Sequence, residues 1–333
     1  MPTIVARLCI GRSCFLLLLL LGPGSQLGGQ TVSQAVSSVF SGAHLYVNPV
    51  SAARQQAEAW RRSRPADAAL MERIAAQPLA EWVGGWNGNI GSYVSNAVAR
   101  ISGTNSLPVF VVYNIPGRDC GQFSSGGARG GDSYRRWVRD FANGLGRQRV
   151  VIILEPDALA GMTCLSPDRQ RERLDLIHDA VRVLKQRGAS VYIDAGNPGW
   201  VRADEMARRL NGAGIAEADG FALNIAHFYA TSSNITYGTD VSRRVGGKHF
   251  IIDTSRNGQN ATSAGNWCNP IGQRVGHVPA TRTGHALVDA FLWVKTPGES
   301  DGTCSGGPQA GKWWAEYALG LAGGAWDRIL GRR

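Results

Sequence analysis

The chain has 333 residues, 44% of them hydrophobic and 18% charged, with a formal net charge of +10. That length suits one large α/β domain or two small ones. The positive charge lies in scattered arginines of helical segments (Arg61, Arg62, Arg169, Arg171, Arg173, Arg208, Arg209) and not in one block, so solvated helix faces account for it and a nucleic-acid partner is not expected.

Residues 1–29 read as a leader. Arg7 and Arg12 precede an apolar run over 15–21, a Gly/Pro-rich stretch follows, and no acid appears before Glu58. This is the pattern of a secretory signal peptide, with an uncleaved N-terminal anchor as the alternative. Residues 30–333 are then expected to form one domain. Outside the leader stand Cys120, Cys164, Cys268 and Cys304. Four cysteines in an exported chain favour two disulfides, with three pairings open. No C-x-x-C and no paired histidine spacing supports a metal site.

In chain order, 31–42 is a polar lead-in, and Tyr46-Val47-Asn48-Pro49 opens the ordered part. Residues 51–77 have helical spacing with a break near Pro65. Strand-like runs follow at 82–86, 109–115, 150–154, 191–193, 221–225, 249–252 and 290–294. Helical segments separate several of them, at 96–101, 133–145, 167–187 and 203–210. The best is 167–187, with Leu174, Ile177, Val181 and Leu184 on one face. Alternating strands and helices predict a parallel sheet. Seven units in this length point to a single distorted parallel (β/α) barrel of about seven strands, TIM-barrel-like, with an open doubly wound sheet as the alternative.

The run Val150-Val151-Ile152-Ile153-Leu154-Glu155-Pro156-Asp157 is the most informative stretch. Consecutive aliphatic residues, mostly β-branched, read as a strand buried on both faces. Two carboxylates around a proline end it, where α/β proteins place their chemistry. The other strand ends lead to Tyr113, Asn114 and Asp119; to Asp194; to Asn224 and His227; to Asp253; and to Lys295, Glu299 and Asp301. In a parallel barrel these share one rim, a ring of carboxylates interleaved with amides, Trp200, Trp267 and a lysine. Crowded carboxylates raise one another's pKa, and two carboxyl groups in different protonation states are what glycosidic cleavage needs. Tryptophans suit the apolar faces of sugar rings. A lone aspartate after a strand is more often a turn former or helix cap, and Asp253, followed by Thr254-Ser255-Arg256, is expected to serve as a cap or salt-bridge partner. Trp82, Trp86 and Trp293 also fit core positions. Two rival readings stand beside this one. Gly298-Glu299-Ser300-Asp301-Gly302 fits G-x-S-x-G, but no histidine follows His285 to complete a serine-hydrolase triad. The other is a non-catalytic sugar-binding protein.

Taken together these segments resemble glycoside hydrolase family 6, the inverting cellulases. The resemblance rests on Tyr46-Val47-Asn48-Pro49, the VVYNIPGRDC run ending at Cys120, Ser124-Ser125-Gly126-Gly127, Glu155-Pro156-Asp157 and Asp194-Ala195-Gly196. It continues through Ile252-Asp253-Thr254-Ser255-Arg256-Asn257-Gly258, Trp267-Cys268-Asn269-Pro270 and the DAFLWVKTPGESD run ending at Asp301. The resemblance implies a distorted barrel of about seven parallel strands and hydrolysis of internal β-1,4-glucosidic bonds with inversion, with no metal or cofactor. It further implies Asp157 as general acid and Asp119 as the carboxylate that keeps it protonated. Tyr113 would lie beneath the distorted sugar, Ser125 would hold the water chain, and Asp301 would be a base or charge stabiliser. Trp82, Asp194, Trp200, Asn224, Trp267, Lys295 and Glu299 match substrate-contacting positions. The cysteines match as Cys120–Cys164 and Cys268–Cys304, and those spans, short for the family, favour an open cleft and endo action. Two departures stand out: Asn197-Pro198 where relatives often carry His, and Ile225-Ala226-His227 where they have a more polar, Asn-containing segment.

Overall fold

The computed structural model describes residues 39–259 and 267–329. The expected leader lies outside the described residues. Seven strands form one sheet in chain order: β1 (Glu81–Val83), β2 (Val109–Val112), β3 (Val151–Leu154), β4 (Ser190–Asp194), β5 (Gly220–Leu223), β6 (His249–Asp253) and β7 (Val288–Leu292). Every pairing is parallel. Among the described residues no ladder joins β1 to β7. The curl is instead bridged at that seam by Ala80 N to Trp293 O (3.1 Å) and by Trp82 Nε1 to Val294 O (2.8 Å).

The strand residues divide by the period-two rule. Val109, Val111, Val151, Ile153, Tyr192, Ala222, Ile251, Ala290 and Leu292 pack together on the concave side. Their neighbours Phe110, Val112, Ile152, Leu154, Val191, Ile193, Phe221, Leu223, Phe250 and Ile252 pack against the helices. Both faces are buried, which is why these strands read as unbroken apolar runs. The helices are α1 (Ala52–Trp60), α2 (Pro65–Ala75), α3 (Ile90–Ser102), α4 (Gly131–Leu145), α5 (Pro167–Lys185), α6 (Ala203–Gly212), α7 (Thr231–Arg244), α8 (Ala315–Ala322) and α9 (Trp326–Ile329). Pro65 opens α2 at its first turn, so the expected break in 51–77 is a start signal for a second helix. Helices α1, α2 and α8 form a satellite core around Trp293, which is 2% exposed.

The structure differs from the sequence expectation at the chain start and in α7, adds α8 and α9, and shifts β1 and β7 from the expected runs. Val39 and Phe40, placed in a polar lead-in, are buried, and Phe40 lies 6.2 Å from the ring of Tyr192 in the concave cluster. The helix α7 carries only a sparse apolar stripe, Tyr237 and Val241, with Val245 just past its end. Its buried face is Asn234, Tyr237, Gly238, Val241 and Ser242. Gly238 is required there because a Cβ would come within 2.5 Å of the Phe250 ring.

Candidate active site

The residues after each strand meet at the C-terminal rim, and several adopt left-handed backbone conformations that non-glycine residues rarely take. Asp119 (φ 54°), Glu155 (φ 52°), Asp157 (φ 68°), Asn224 (φ 66°) and Ala226 (φ 61°) are among them. Burial of the polar strand ends overdetermines these turns. The Glu155 carboxylate, 1% exposed, accepts from the backbone N–H of Asn114 (3.0 Å) and Ile115 (2.9 Å), which joins the exit of β2 to that of β3. Burial still pushes its pKa up to about 7, against those two donors.

Asp157 follows two residues later. Its side chain is 26% exposed, and its Oδ1 is a buried oxygen that accepts no hydrogen bond from the protein. Burial, then the carboxylates of Asp194, Asp119 and Asp301, push its pKa well above the ordinary aspartate range; the ammonium of Lys295 opposes them. Beneath it, Asp194 Oδ2 accepts from Asp157 N (2.9 Å) and Gly196 N (3.1 Å), and burial pushes the Asp194 pKa up to about 7. Asp119 sits in a loop folded back on itself, with Arg118 N donating to Gly126 O and Ser124 N to Asp119 Oδ2 (2.6 Å). Burial raises its pKa, against the Ser124 N–H and the Arg118 guanidinium. Gly127 lies against Ile115 O, where a Cβ would come within 1.9 Å, so the glycine run packs on the segment that leaves β2. Tyr113 is 6% exposed and meets Trp82 edge-on at 5.3 Å, with the Arg118 guanidinium 4.6 Å above its ring. Burial and the Asp157 and Asp119 carboxylates raise its pKa.

The opposite part of the rim is built differently. Asp301 accepts from Arg256 Nη1 at 2.9 Å on both oxygens and from Asn269 N at 3.1 Å, and Lys295 Nζ lies 3.8 Å away. Arg256 is fully buried. Burial raises the pKa of Glu299, with Lys295 the main opposing charge. Disulfides Cys120–Cys164 and Cys268–Cys304 stand at Cα separations of 6.2 and 6.1 Å. The first ties the Asp119 loop to the loop after Asp157; the second ties the loops after β6 and β7 beside Asp301.

Of the expected site residues, Tyr113, Asp119, Asp157, Lys295, Glu299 and Asp301 come together at this rim. Trp200 is 42% exposed, Trp82 and Trp267 are partly buried, and Ser125 is exposed in the Asp119 loop. Asp194 and Asn224 do not present themselves as sugar contacts. Both are at most 1% exposed; the polar atoms of Asn224 and Oδ2 of Asp194 are engaged by the protein, while Asp194 Oδ1 is buried without a hydrogen-bond partner. Asp194 holds the backbone of the Asp157 turn, and Asn224 Nδ2 donates to Asp253 O (2.9 Å) while its Oδ1 accepts from Tyr229 N (3.1 Å). Asp253 caps no helix; its carboxylate ties the strand exits together, accepting from Ser255 N, Ala226 N, Val294 N and Lys295 N. The nearby Arg256 pairs with Asp301 instead. Ser300 Oγ, in the G-x-S-x-G segment, is fully buried and donates to Gly302 O and Pro308 O, which leaves it no nucleophilic access.

Three residues of the site were not singled out by sequence. Arg118 donates to Tyr113 O and Ser124 O. Arg173, 3% exposed on α5, donates to Pro116 O (2.6 Å), Gly117 O (3.0 Å) and Ala158 O (3.4 Å), and so joins the two acid-bearing loops from behind. A readable signal existed for it: Arg173 falls on the apolar face of α5, three and four residues before Leu176 and Ile177. Arg256 is the third.

The family model described as glycosyl hydrolases family 6 matches residues 40–325. The chain is 44% identical to endoglucanase A of Cellulomonas fimi over 84% of this chain, a match that spans 60% of that protein. It is 39% identical to endoglucanase 1 of Streptomyces halstedii, over 82% of this chain and 87% of that one. Among solved structures it matches the endoglucanase Cel6 from Mycobacterium tuberculosis in complex with a thio-linked cello-oligosaccharide. That match has a TM-score of 0.81 and 42% identity, and covers 88% of this chain and 99% of the other. On the fold, the carboxylate rim and these matches, the chain belongs to glycosyl hydrolases family 6.

Proposed function

We propose that this protein hydrolyses internal β-1,4-glucosidic bonds of a β-glucan with inversion at the anomeric carbon. Asp157 is the general acid. The observation that carries this is its carboxyl group, placed on a left-handed turn at the rim, with carboxylates and no paired cation around it, so that it keeps a proton where an ordinary aspartate has lost one. In the reaction Asp157 gives that proton to the glycosidic oxygen as the C–O bond breaks. A water attacks the anomeric carbon from the opposite face and loses a proton to a carboxylate. Asp119 is the better proton acceptor of the two remaining acids. It accepts one hydrogen bond, from Ser124 N, and shares its loop with Ser125, a hydroxyl suited to hold the water chain. Asp301, engaged by Arg256 and Asn269, stabilises charge. Trp82, Trp200 and Trp267 are the sugar platforms, and Lys295 and Glu299 take hydroxyls.

Export through the leader agrees with two disulfides, which persist in oxidising compartments. Among the described residues no helix is long and apolar enough to cross a membrane.

The test is reducing-sugar release from soluble carboxymethylcellulose with viscosity followed in parallel, wild type beside Asp157→Ala. Rapid thinning by the wild type and a loss of about 10³-fold in the variant are expected, within the range for general acid catalysis. A folded, oxidised wild type that releases no sugar would support a binding protein instead.

A further inference from the structure

Sequence reading marks His227 as a departure, and the structure places it beside the acid. Its Nε2 lies 4.0 Å from Asp157 Oδ1, the buried oxygen that the protein leaves without a hydrogen bond. The imidazole meets the exposed Trp200 edge-on, with ring centres 5.6 Å apart, and its side chain is 15% exposed. Its neighbour Ala226 sits at φ 61°; Ala226 N donates to Asp253 Oδ2 and Ala226 O accepts from Arg256 Nη2, so the backbone that presents the ring is fixed from both sides.

We propose that His227 is a positioning residue for the general acid: its neutral imidazole donates from Nε2 to Asp157 Oδ1 and so keeps the transferable proton on Oδ2. This rests on the reading of Asp157 as the acid. The present 4.0 Å is longer than a hydrogen bond, and such contacts commonly tighten only when substrate closes the site. A donor on Oδ1 has two effects on the step. It leaves the acidic O–H free to point at the glycosidic oxygen, and it stabilises the carboxylate that remains after transfer.

The charges around the pair agree with a neutral ring. Arg256 faces His227 from the loop after β6, and burial with that guanidinium holds the imidazole pKa down at about 4, against Asp301 from the loop after β7. Asp157 in turn faces Asp194 on β4, Asp119 on the loop after β2, Asp301 and Lys295. Above about pH 4 the ring is therefore neutral. A cation in its place would strip the acid of its proton.

The experiment compares His227→Phe, which keeps the ring against Trp200 without the N–H, with His227→Asn, which restores an N–H donor. Each is assayed on cellotetraose and on 2,4-dinitrophenyl β-cellobioside, whose leaving group needs no proton, with Asp157→Ala alongside. His227→Phe is expected to lose at least 10-fold in kcat on cellotetraose with KM unchanged, and to move the alkaline limb of kcat/KM to higher pH. It should retain activity on the aryl substrate, and His227→Asn should recover most of the loss. Equal losses on both substrates, or a rise in KM alone, would overturn the proposal in favour of sugar binding. Full activity of His227→Phe beside an inactive Asp157→Ala would overturn it while leaving the acid assignment standing. An Asp157→Ala variant active on cellotetraose would remove the acid assignment itself.

Discussion

The rim over β2–β4 and the rim over β6–β7 use the same material to opposite ends. Both present an aspartate next to a disulfide-tied loop, Asp301 buried and Asp157 partly exposed. Asp301 is matched by a fully buried guanidinium and a nearby ammonium. Asp157 faces Asp194, Asp119 and a neutral histidine, and the cations on its side are turned away from it. Arg118 and Arg173 donate to backbone carbonyls of the loops and not to the acids. What separates the two carboxyls is where the arginines aim. On the proposed reading, the carboxyl that stores a proton is kept among its own kind, and the positive charge on that side holds the loops that carry it.

The largest effect should come from breaking the paired side. Arg256→Met leaves Asp301 buried without its partner, and a loss of about 3–5 kcal/mol in chemical unfolding is expected. The double variant with Asp301→Asn should recover part of it. Next is the support of the unpaired side. Arg173→Met removes charged donors from three carbonyls, for which about 2–3 kcal/mol is expected. It should also lower kcat on carboxymethylcellulose, because Asp119 and Asp157 lose their common brace. An equal loss of stability without loss of kcat would show that the brace holds the fold and not the acid geometry.

The proton-storing side also has a signature in stability against pH. The folded-state pKa of Glu155 is raised from 4.5 to about 7, and that of Asp194 from 3.8 to about 7. The folded protein therefore holds these protons where the unfolded chain has released them. Their stabilising contribution is full below the unfolded values and is lost as pH rises to about 7. Unfolding free energy should fall between pH 5 and pH 7.5, and Glu155→Gln should flatten the fall by on the order of 1–3 kcal/mol. An unchanged slope would mean that Glu155 is already ionised in the folded state. The smallest effect is at the platform: Trp200→Ala should raise KM for cello-oligosaccharides several-fold while the pH profile keeps its shape.

Much of this was legible in the chain. The apolar runs became parallel strands because those from β2 to β7 are buried on both faces, and the strand ends brought Asp119, Asp157, Lys295, Glu299 and Asp301 to one rim. What sequence could not give was the direction of each polar side chain. Asp194 and Asn224 stand at strand ends like Asp157, yet backbone N–H groups of the turns beneath the proposed acid take up Asp194 Oδ2 and Asn224 Oδ1. Arg256 lies three residues after Asp253 but crosses to Asp301, 45 residues on. The helix α7 is weakly marked because Asn234, Gly238 and Ser242 dilute its inward face, leaving Tyr237 and Val241 as its buried apolar positions.

The central claim is that Asp157 holds a proton because of where it sits, and a carboxyl titration tests it most directly. With the aspartate carboxyl carbons labelled with ¹³C, the resonance missing from Asp157→Ala identifies the acid in spectra of the wild type. A midpoint well above the ordinary aspartate value of about 3.9 is expected, lowered when Asp194 is replaced by Asn. A midpoint at or below that ordinary value would contradict it.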